Sequence, residues 1–229
     1  DPVTGQNHID TSDAPFKILP APIPETQRND EEYSAKEAFL ISDENWQDVL
    51  SLVPVAVWTD QQNQIHKYPL LIYHKEGEAF DADSILHFFD QYRPDRVTAV
   101  GTLPQELVGL AYVATIGVVP QILTPQDYVR YWKSYKSAVY VENNYELSLL
   151  ASTYASFKGI PLIIQNSPLD KPENLQRKEI ILVGNLACPA GAICKEKYSL
   201  ETLQRKYRQD TNTNKIIMLN PNDLDISVS

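Results

Sequence analysis

Short apolar runs alternate with longer segments in which apolar residues recur at helical spacing. The short runs are hydrophobic at nearly every position, which is typical of parallel strands buried on both faces. The predicted strands are Phe39–Ile41, Pro69–Tyr73, Val97–Val100, Val119–Leu123, Val139–Val141, Pro161–Ile164, Ile180–Val183 and Lys215–Leu219. The predicted helices are Asn45–Trp58, which breaks near Pro54, and Ser84–Tyr92, Thr124–Tyr135, Glu146–Phe157 and Leu200–Arg208. Strands separated by helices predict an α/β fold with parallel sheets covered by helices.

The pattern occurs twice along the chain. Asn45 and Asn144 are 99 positions apart, and each lies between an apolar strand and an aromatic residue that opens a helix. A later strand stops on Gly101 in the first copy and on Gly184 in the second, 83 positions on. A further match pairs Gln121–Tyr128 with Ile217–Leu224. Ordered matches of this kind predict a tandem repeat.

The repeat divides the chain into a proline-rich extended arm at 1–37, a first α/β unit at 38–127 and a second at 128–229. Proline fixes φ and removes a backbone donor, so the arm is expected to be extended. Because Asn220–Leu224 stands where Thr124–Tyr128 leads into the second unit, we expect further domains beyond Ser229.

Charge excludes one class of partner. The 229 residues carry 20 Lys and Arg against 30 Asp and Glu, a formal net charge of −10. Binding to a phosphate backbone needs clustered cations, so we expect no nucleic-acid partner. No apolar run approaches the roughly 20 residues that span a bilayer, so no membrane span is expected in this chain.

The two cysteines, Cys188 and Cys194, enclose a loop that contains proline and glycine. This spacing favours a local disulfide, and hence an extracellular or cell-surface location, over a pair of reduced thiols. A zinc site is disfavoured because the chain supplies no nearby His or second Cys pair.

The turns and strands of the repeat resemble the type 2 cell-wall-binding repeat of surface-layer and cell-wall proteins. In that family the turn before the helix commonly reads Asp-Asn-Phe or Asp-Asn-Tyr, and here it reads Glu44-Asn45-Trp46 and Asn143-Asn144-Tyr145. The resemblance covers nearly all of 38–224. It implies flavodoxin-like units, which in the family come three together, and a non-catalytic role in attaching a surface protein to an envelope polymer.

Parallel sheets bind ligands outside the carboxyl ends of their strands, where these turns lie. A carboxylate, an amide and an aromatic face suit a sugar ring, so a cell-envelope glycan or a surface protein is the expected partner. An asparagine after a strand also caps helices, and the aromatic residue can fill the core instead. The candidate ligand-binding residues are Asp43, Asn45, Trp46, Glu142, Asn144 and Tyr145.

Enzymatic chemistry has weaker support in the sequence. Acid pairs such as Asp43 with Asp48, or Asp81 with Asp83, carry little information in a chain with 30 acids. The histidines lack metal-ligand spacing, and nucleophile-elbow, dinucleotide and phosphate-loop motifs do not occur. We therefore predict no catalysis, no metal and no cofactor. An enzyme or accessory domain acting on envelope glycans is the alternative, and a protein-binding module is a third possibility.

Overall fold

The computed structural model of the protein describes residues 25–74, 82–103 and 120–212. The strands are β1 Gln27–Arg28, β2 Glu37–Ser42, β3 Val57–Thr59, β4 Ile65–Lys67, β5 Leu70–Tyr73, β6 Arg96–Val100, β7 Gln121–Leu123, β8 Trp132–Ser134, β9 Ser137–Val141, β10 Leu162–Ile164, β11 Glu179–Val183 and β12 Ile193–Tyr198. The helices are α1 Trp46–Ala56, α2 Ala82–Tyr92, α3 Tyr145–Lys158, α4 Pro172–Leu175 and α5 Leu200–Thr211, with 3-10 helices at Asp30–Glu32 and Pro125–Tyr131.

Two four-stranded parallel sheets carry the fold, in the orders β5-β2-β6-β7 and β10-β9-β11-β12. In the first sheet Ala38 pairs with Val97, and in the second Ala138 pairs with Ile180. The same strand order with the same register means that the two units are copies of one flavodoxin-like arrangement flanked by helices. The predicted duplication is confirmed.

The fourth strand of the second sheet differs from the prediction. Its position beside β11 is held by β12, which begins inside the cysteine loop, where the sequence predicted no strand. The predicted counterpart of β7, from Ile217, lies outside the described residues. The crossover from β11 to β12 is short, and the predicted disulfide joins its Cys188 to Cys194 of β12, with the Cα atoms 5.9 Å apart.

Helix α1 connects the two sheets. Its residues Leu52 and Val55 share one core cluster with Phe39 of the first sheet and with Tyr140 and Leu182 of the second. On the opposite face of the first sheet, α2 covers a separate cluster, but the equivalent helix α4 is a single turn. The first unit therefore covers the sheet face that α4 is too short to bury.

Helix α3 and helix α5 cover the other face of the second sheet. Six residues of α3 are buried, as its apolar and small side chains predict. Tyr154 of α3 is fully buried, and its hydroxyl donates to Asp210 of α5 at 3.1 Å. This contact fixes α5 against the end of α3.

Local predictions differ from the structure at three places. Helix α1 continues two residues past the helix-breaking Pro54, ends at Ala56 and leads directly into β3. No strand was predicted between 60 and 67, where β4 forms a hairpin with β3. The helix predicted to run from Thr124 to Tyr135 is a 3-10 helix that stops at Tyr131, and β8 follows it.

The predicted boundary between the units, at 127/128, falls inside this 3-10 helix. Tyr128 and Tyr131 from the helix are buried in the cluster that both sheets share. Most of the predicted arm lies outside the described residues, and its last part from Glu25 crosses the junction between the units. Within the described part of the chain, no helix has the length and apolar character needed to cross a membrane.

Candidate functional site

Asn45 and Asn144 cap the two equivalent helices. The Oδ1 atom of Asn45 accepts a hydrogen bond from the backbone of Gln47 at 3.0 Å, and Oδ1 of Asn144 accepts from Leu147 at 3.0 Å. Both residues have extended backbones, as N-caps do. The interpretation of the two asparagines as helix caps is confirmed, and their carbonyl oxygens are engaged within the protein.

The residues that follow the caps bring the two predicted sites together. Helices α1 and α3 pack side by side, so that Trp46 and Tyr145, each the first residue of its helix, meet edge to face at 5.5 Å with an interplanar angle of 88°. Beside them, Nε2 of Gln47 donates to Oδ1 of Asn143 at 2.8 Å. Trp46 is half-buried, whereas Tyr145 is 39% exposed. We call Trp46, Tyr145, Gln47 and Asn143 the helix-start patch.

The two acidic candidates do not occupy equivalent places. When the two sheets are matched by their strand registers, the residue equivalent to Glu142 is Ser42 and not Asp43, because the first turn is one residue longer. Asp43 contacts His74 at the end of β5, with Oδ2 and Nδ1 2.6 Å apart. Glu142 instead faces β11, where its Oε2 accepts from the backbone of Asn185 at 2.8 Å. Asp43 is therefore directed toward the β5 side of its strand, and Glu142 toward the β11 side, which is opposite in the matched strand order.

Gly184 makes the position of Glu142 possible. Its φ is 97°, and a Cβ atom there would lie 2.6 Å from Oε2 of Glu142. The equivalent Gly101 also has a positive φ, of 77°, but a Cβ atom would meet nothing within 4 Å among the described residues. The matched glycines share a turn conformation, and only the second also leaves space for a carboxylate.

A cavity of about 390 Å³ lies next to Gly184, at the carboxyl ends of β11 and β12. Leu147 from the first turn of α3 and Tyr198 from the end of β12 contribute to its walls, together with Lys197. The Lys197 ammonium donates to the backbone oxygen of Leu186 at 2.9 Å. One wall residue of the cavity, Leu147, lies two residues after Tyr145 of the helix-start patch in the first turn of α3.

The helix starts are acidic. Asp48 and Glu146 lie in the first turns of α1 and α3, and Glu44 is exposed in the preceding turn. Burial raises the pKa of Asp48, and a hydrogen bond from Nδ2 of Asn45 at 3.0 Å opposes this effect. A surface of carboxylates beside aromatic rings accepts hydrogen bonds from hydroxyl groups and repels polyanions.

The structure places the six predicted residues at two neighbouring helix starts but gives them different roles. Asn45 and Asn144 are caps, Asp43 and Glu142 hold neighbouring loops, and Trp46 and Tyr145 form the exposed contact. Sequence reasoning missed Gln47, Asn143 and Asn185, whose only signal was their position beside the matched turns. Among the described residues, no group of three or more His, Cys, Asp or Glu side chains is arranged to hold a metal ion.

Comparison of the chain with known protein families, with curated proteins and with solved structures gives no match.

Proposed function

We propose that the chain is a non-catalytic cell-surface domain for envelope attachment or surface assembly, and that it binds an envelope glycan through the helix-start patch. The observation that carries this proposal is the contact between Trp46 and Tyr145. A binding surface built from the same position of two repeats presents two aromatic rings to one ligand. Aromatic rings pack against the apolar face of a sugar.

The hydrogen bonds that the polar side chains of the site make within the protein support binding rather than catalysis. Asn45, Asn144 and Glu142 each accept a hydrogen bond from the backbone. These bonds make the turns rigid, and a preorganised surface loses less entropy when it binds. The acidic helix starts favour a neutral or cationic glycan over an anionic polymer. The Cys188–Cys194 disulfide supports the proposed extracellular location.

A binding assay on purified cell-wall glycan tests the proposal. We expect Trp46→Ala and Tyr145→Ala each to weaken retention on the glycan about tenfold or more, since buried aromatic anchors contribute about 2 kcal/mol or more to such contacts. Ile65→Ala is the matched control, because Ile65 is 62% exposed on the β3–β4 hairpin at the far end of α1. Equal retention of all four proteins would contradict the proposal.

The second candidate is an enzyme or accessory domain that acts on envelope glycans. The pair of Asp43 and His74 favours it, because a carboxylate bonded to an imidazole is a common acid–base arrangement. Release of soluble sugar from the glycan, abolished by Asp43→Ala or Glu142→Ala, would establish this alternative. Binding without release supports the non-catalytic role.

A further inference from the structure

Residues 25–34, here called the strap, lie across the junction between the two units. Strand β1 of the strap pairs antiparallel with β8, which follows the 3-10 helix between the units. The backbone nitrogen of Asn29 donates to Tyr131 at 3.0 Å, and Oγ of Ser134 donates to the backbone oxygen of Glu25 at 2.6 Å. The strap thus contacts the connecting segment continuously from Glu25 to Asn29.

Arg28 inserts its side chain between two indole rings. Its guanidinium carbon lies 4.4 Å from the ring centroid of Trp58 and 4.0 Å from that of Trp132. Burial lowers the pKa of Arg28 to about 10, so the side chain stays charged at neutral pH. The charge of Asp30 opposes the effect of burial, and the two rings stabilise the cation as well.

The strap also caps the C-terminal end of α1. Nη2 of Arg28 donates to the backbone oxygen of Pro54, and the hydroxyl of Tyr33 donates to that of Val55 at 2.9 Å. Nη1 of Arg28 donates to the same hydroxyl at 3.1 Å. Carbonyl groups in the last turn of a helix have no partners within the helix, and the negative end of the helix dipole attracts a cation.

The second ring that holds Arg28 is bonded to the C-terminal end of α3. Nε1 of Trp132 donates to the backbone oxygen of Gly159 at 2.8 Å, and Gly159 is the C-cap of α3. Gly159 also packs closely on the hairpin, since a Cβ atom there would lie 2.8 Å from the backbone oxygen of Thr59. Arg28 and Trp132 therefore connect the C-terminal ends of α1 and α3.

The same two helices carry the helix-start patch at their N-terminal ends. We propose that the strap is a clamp between the two units, and that Arg28 is a positioning residue which sets the separation of Trp46 from Tyr145. A helix transmits a displacement of one end to the other because it is rigid along its axis. The consequence for ligand binding rests on the proposed function, whereas the clamp itself does not.

Spin labels at the two helix starts measure the clamp without a ligand. Glu44 and Glu146 are exposed on either side of the patch. Both native cysteines are in the disulfide, so Glu44→Cys and Glu146→Cys provide the sites for labelling. In the full chain we expect a narrow distribution of distances between the labels. Arg28→Ala is expected to broaden or shift this distribution and to weaken glycan retention about fivefold or more.

Two further variants sharpen the test. Arg28→Lys keeps the charge but loses the planar group that fits between two rings, so we expect it to broaden the distribution as well. Lys133→Ala is the matched control beside the strap, because Lys133 of β8 contacts Glu31 of the strap at 3.8 Å through exposed side chains. We expect its distribution to match that of the parent protein.

An unchanged distribution in folded Arg28→Ala protein, judged by circular dichroism, would overturn the clamp. If Arg28→Ala does not fold, Arg28→Lys and Tyr33→Phe decide in the same assay, and unchanged distances in both would overturn it equally. If the parent protein retains no glycan, the proposed function fails while the distances still test the clamp.

Discussion

Trp46 and Tyr145, which occupy the same position in two copies of one unit, touch each other edge to face at 5.5 Å. Equivalent residues of a repeat meet only where the copies approach along matching surfaces. Here the matching surfaces are the first turns of α1 and α3, which pack against each other. The contact brings the two matched turns of the repeat together in one surface, the helix-start patch. For this reason we locate the candidate site there.

The matched glycines give a direct test of the turn geometry. We expect Gly184→Ala to lower the free energy of unfolding by about 3 kcal/mol, since it combines strained backbone with a clash against Glu142. Gly101→Ala is the control and should cost about 1 kcal/mol, from the positive φ alone. Urea denaturation of both variants measures the difference. Equal losses would show that Glu142 moves freely away from Gly184.

The N-cap residue Asn144 should stabilise α3 through its side-chain oxygen. Asn144→Ala is expected to lower the free energy of unfolding by about 1 kcal/mol, because the backbone nitrogen of Leu147 loses its acceptor. Asn144→Asp keeps the acceptor and adds a negative charge at the positive end of α3, so it should be neutral or stabilising. Denaturation at neutral pH separates the two. A similar loss in both variants would argue that the amide nitrogen matters instead.

Asp210 makes the stability of the second unit depend on pH. Burial is the largest single effect and works against its ionisation, but the hydrogen bonds from Lys206, Lys158 and Tyr154 and the charge of Lys158 together outweigh burial and hold the pKa below the ordinary 3.8. A depressed pKa in the folded state stabilises the fold above the ordinary pKa, and this contribution is lost as the pH falls through the folded value. We therefore expect Asp210→Asn to be less stable than the parent protein at pH 7.

The difference between the parent protein and Asp210→Asn should stay constant down to about pH 5 and shrink below the ordinary pKa of the carboxyl group. Thermal unfolding followed at several values between pH 7 and pH 2 measures it. Glu179→Gln offers a comparison, because Glu179 is paired with an exposed partner, Lys195, at 2.7 Å. A stability difference for Asp210→Asn that persists unchanged at pH 2 would contradict the assignment.

The disulfide is expected to secure β12 rather than the whole fold. The cysteines are six positions apart, and closing so short a loop stabilises a protein by about 2 kcal/mol. In the double variant Cys188→Ser with Cys194→Ser, we expect faster hydrogen exchange in β12 and little change in β9. Mass spectrometry of exchanged peptides resolves the two strands. Loss of protection throughout the second sheet would show that the disulfide is needed for the unit to fold.

The sequence predicted those features that depend on local patterns. The apolar runs around Phe39 and Val139 identified buried strands because both faces of a parallel sheet are covered. Asn45 and Asn144 marked the starts of helices because a side-chain oxygen there satisfies a backbone donor within three residues. The position of β12 was not predictable in this way, since its residues 193–198 are mostly exposed and polar and form a strand only by pairing with β11.

The sequence by itself determined that the chain repeats one α/β unit, where most strands and helices fall, and that two aromatic residues follow equivalent caps. Only the tertiary structure decided that those aromatic residues meet, and that Arg28 lies between Trp58 and Trp132. It also decided that Asp43 is directed toward β5 whereas Glu142 is directed toward β11. The reason is the range of the interactions involved. Caps and alternating patterns act within a few residues, whereas the packing of α1 on α3 joins residues about a hundred positions apart, and their contacts depend on how the whole core closes.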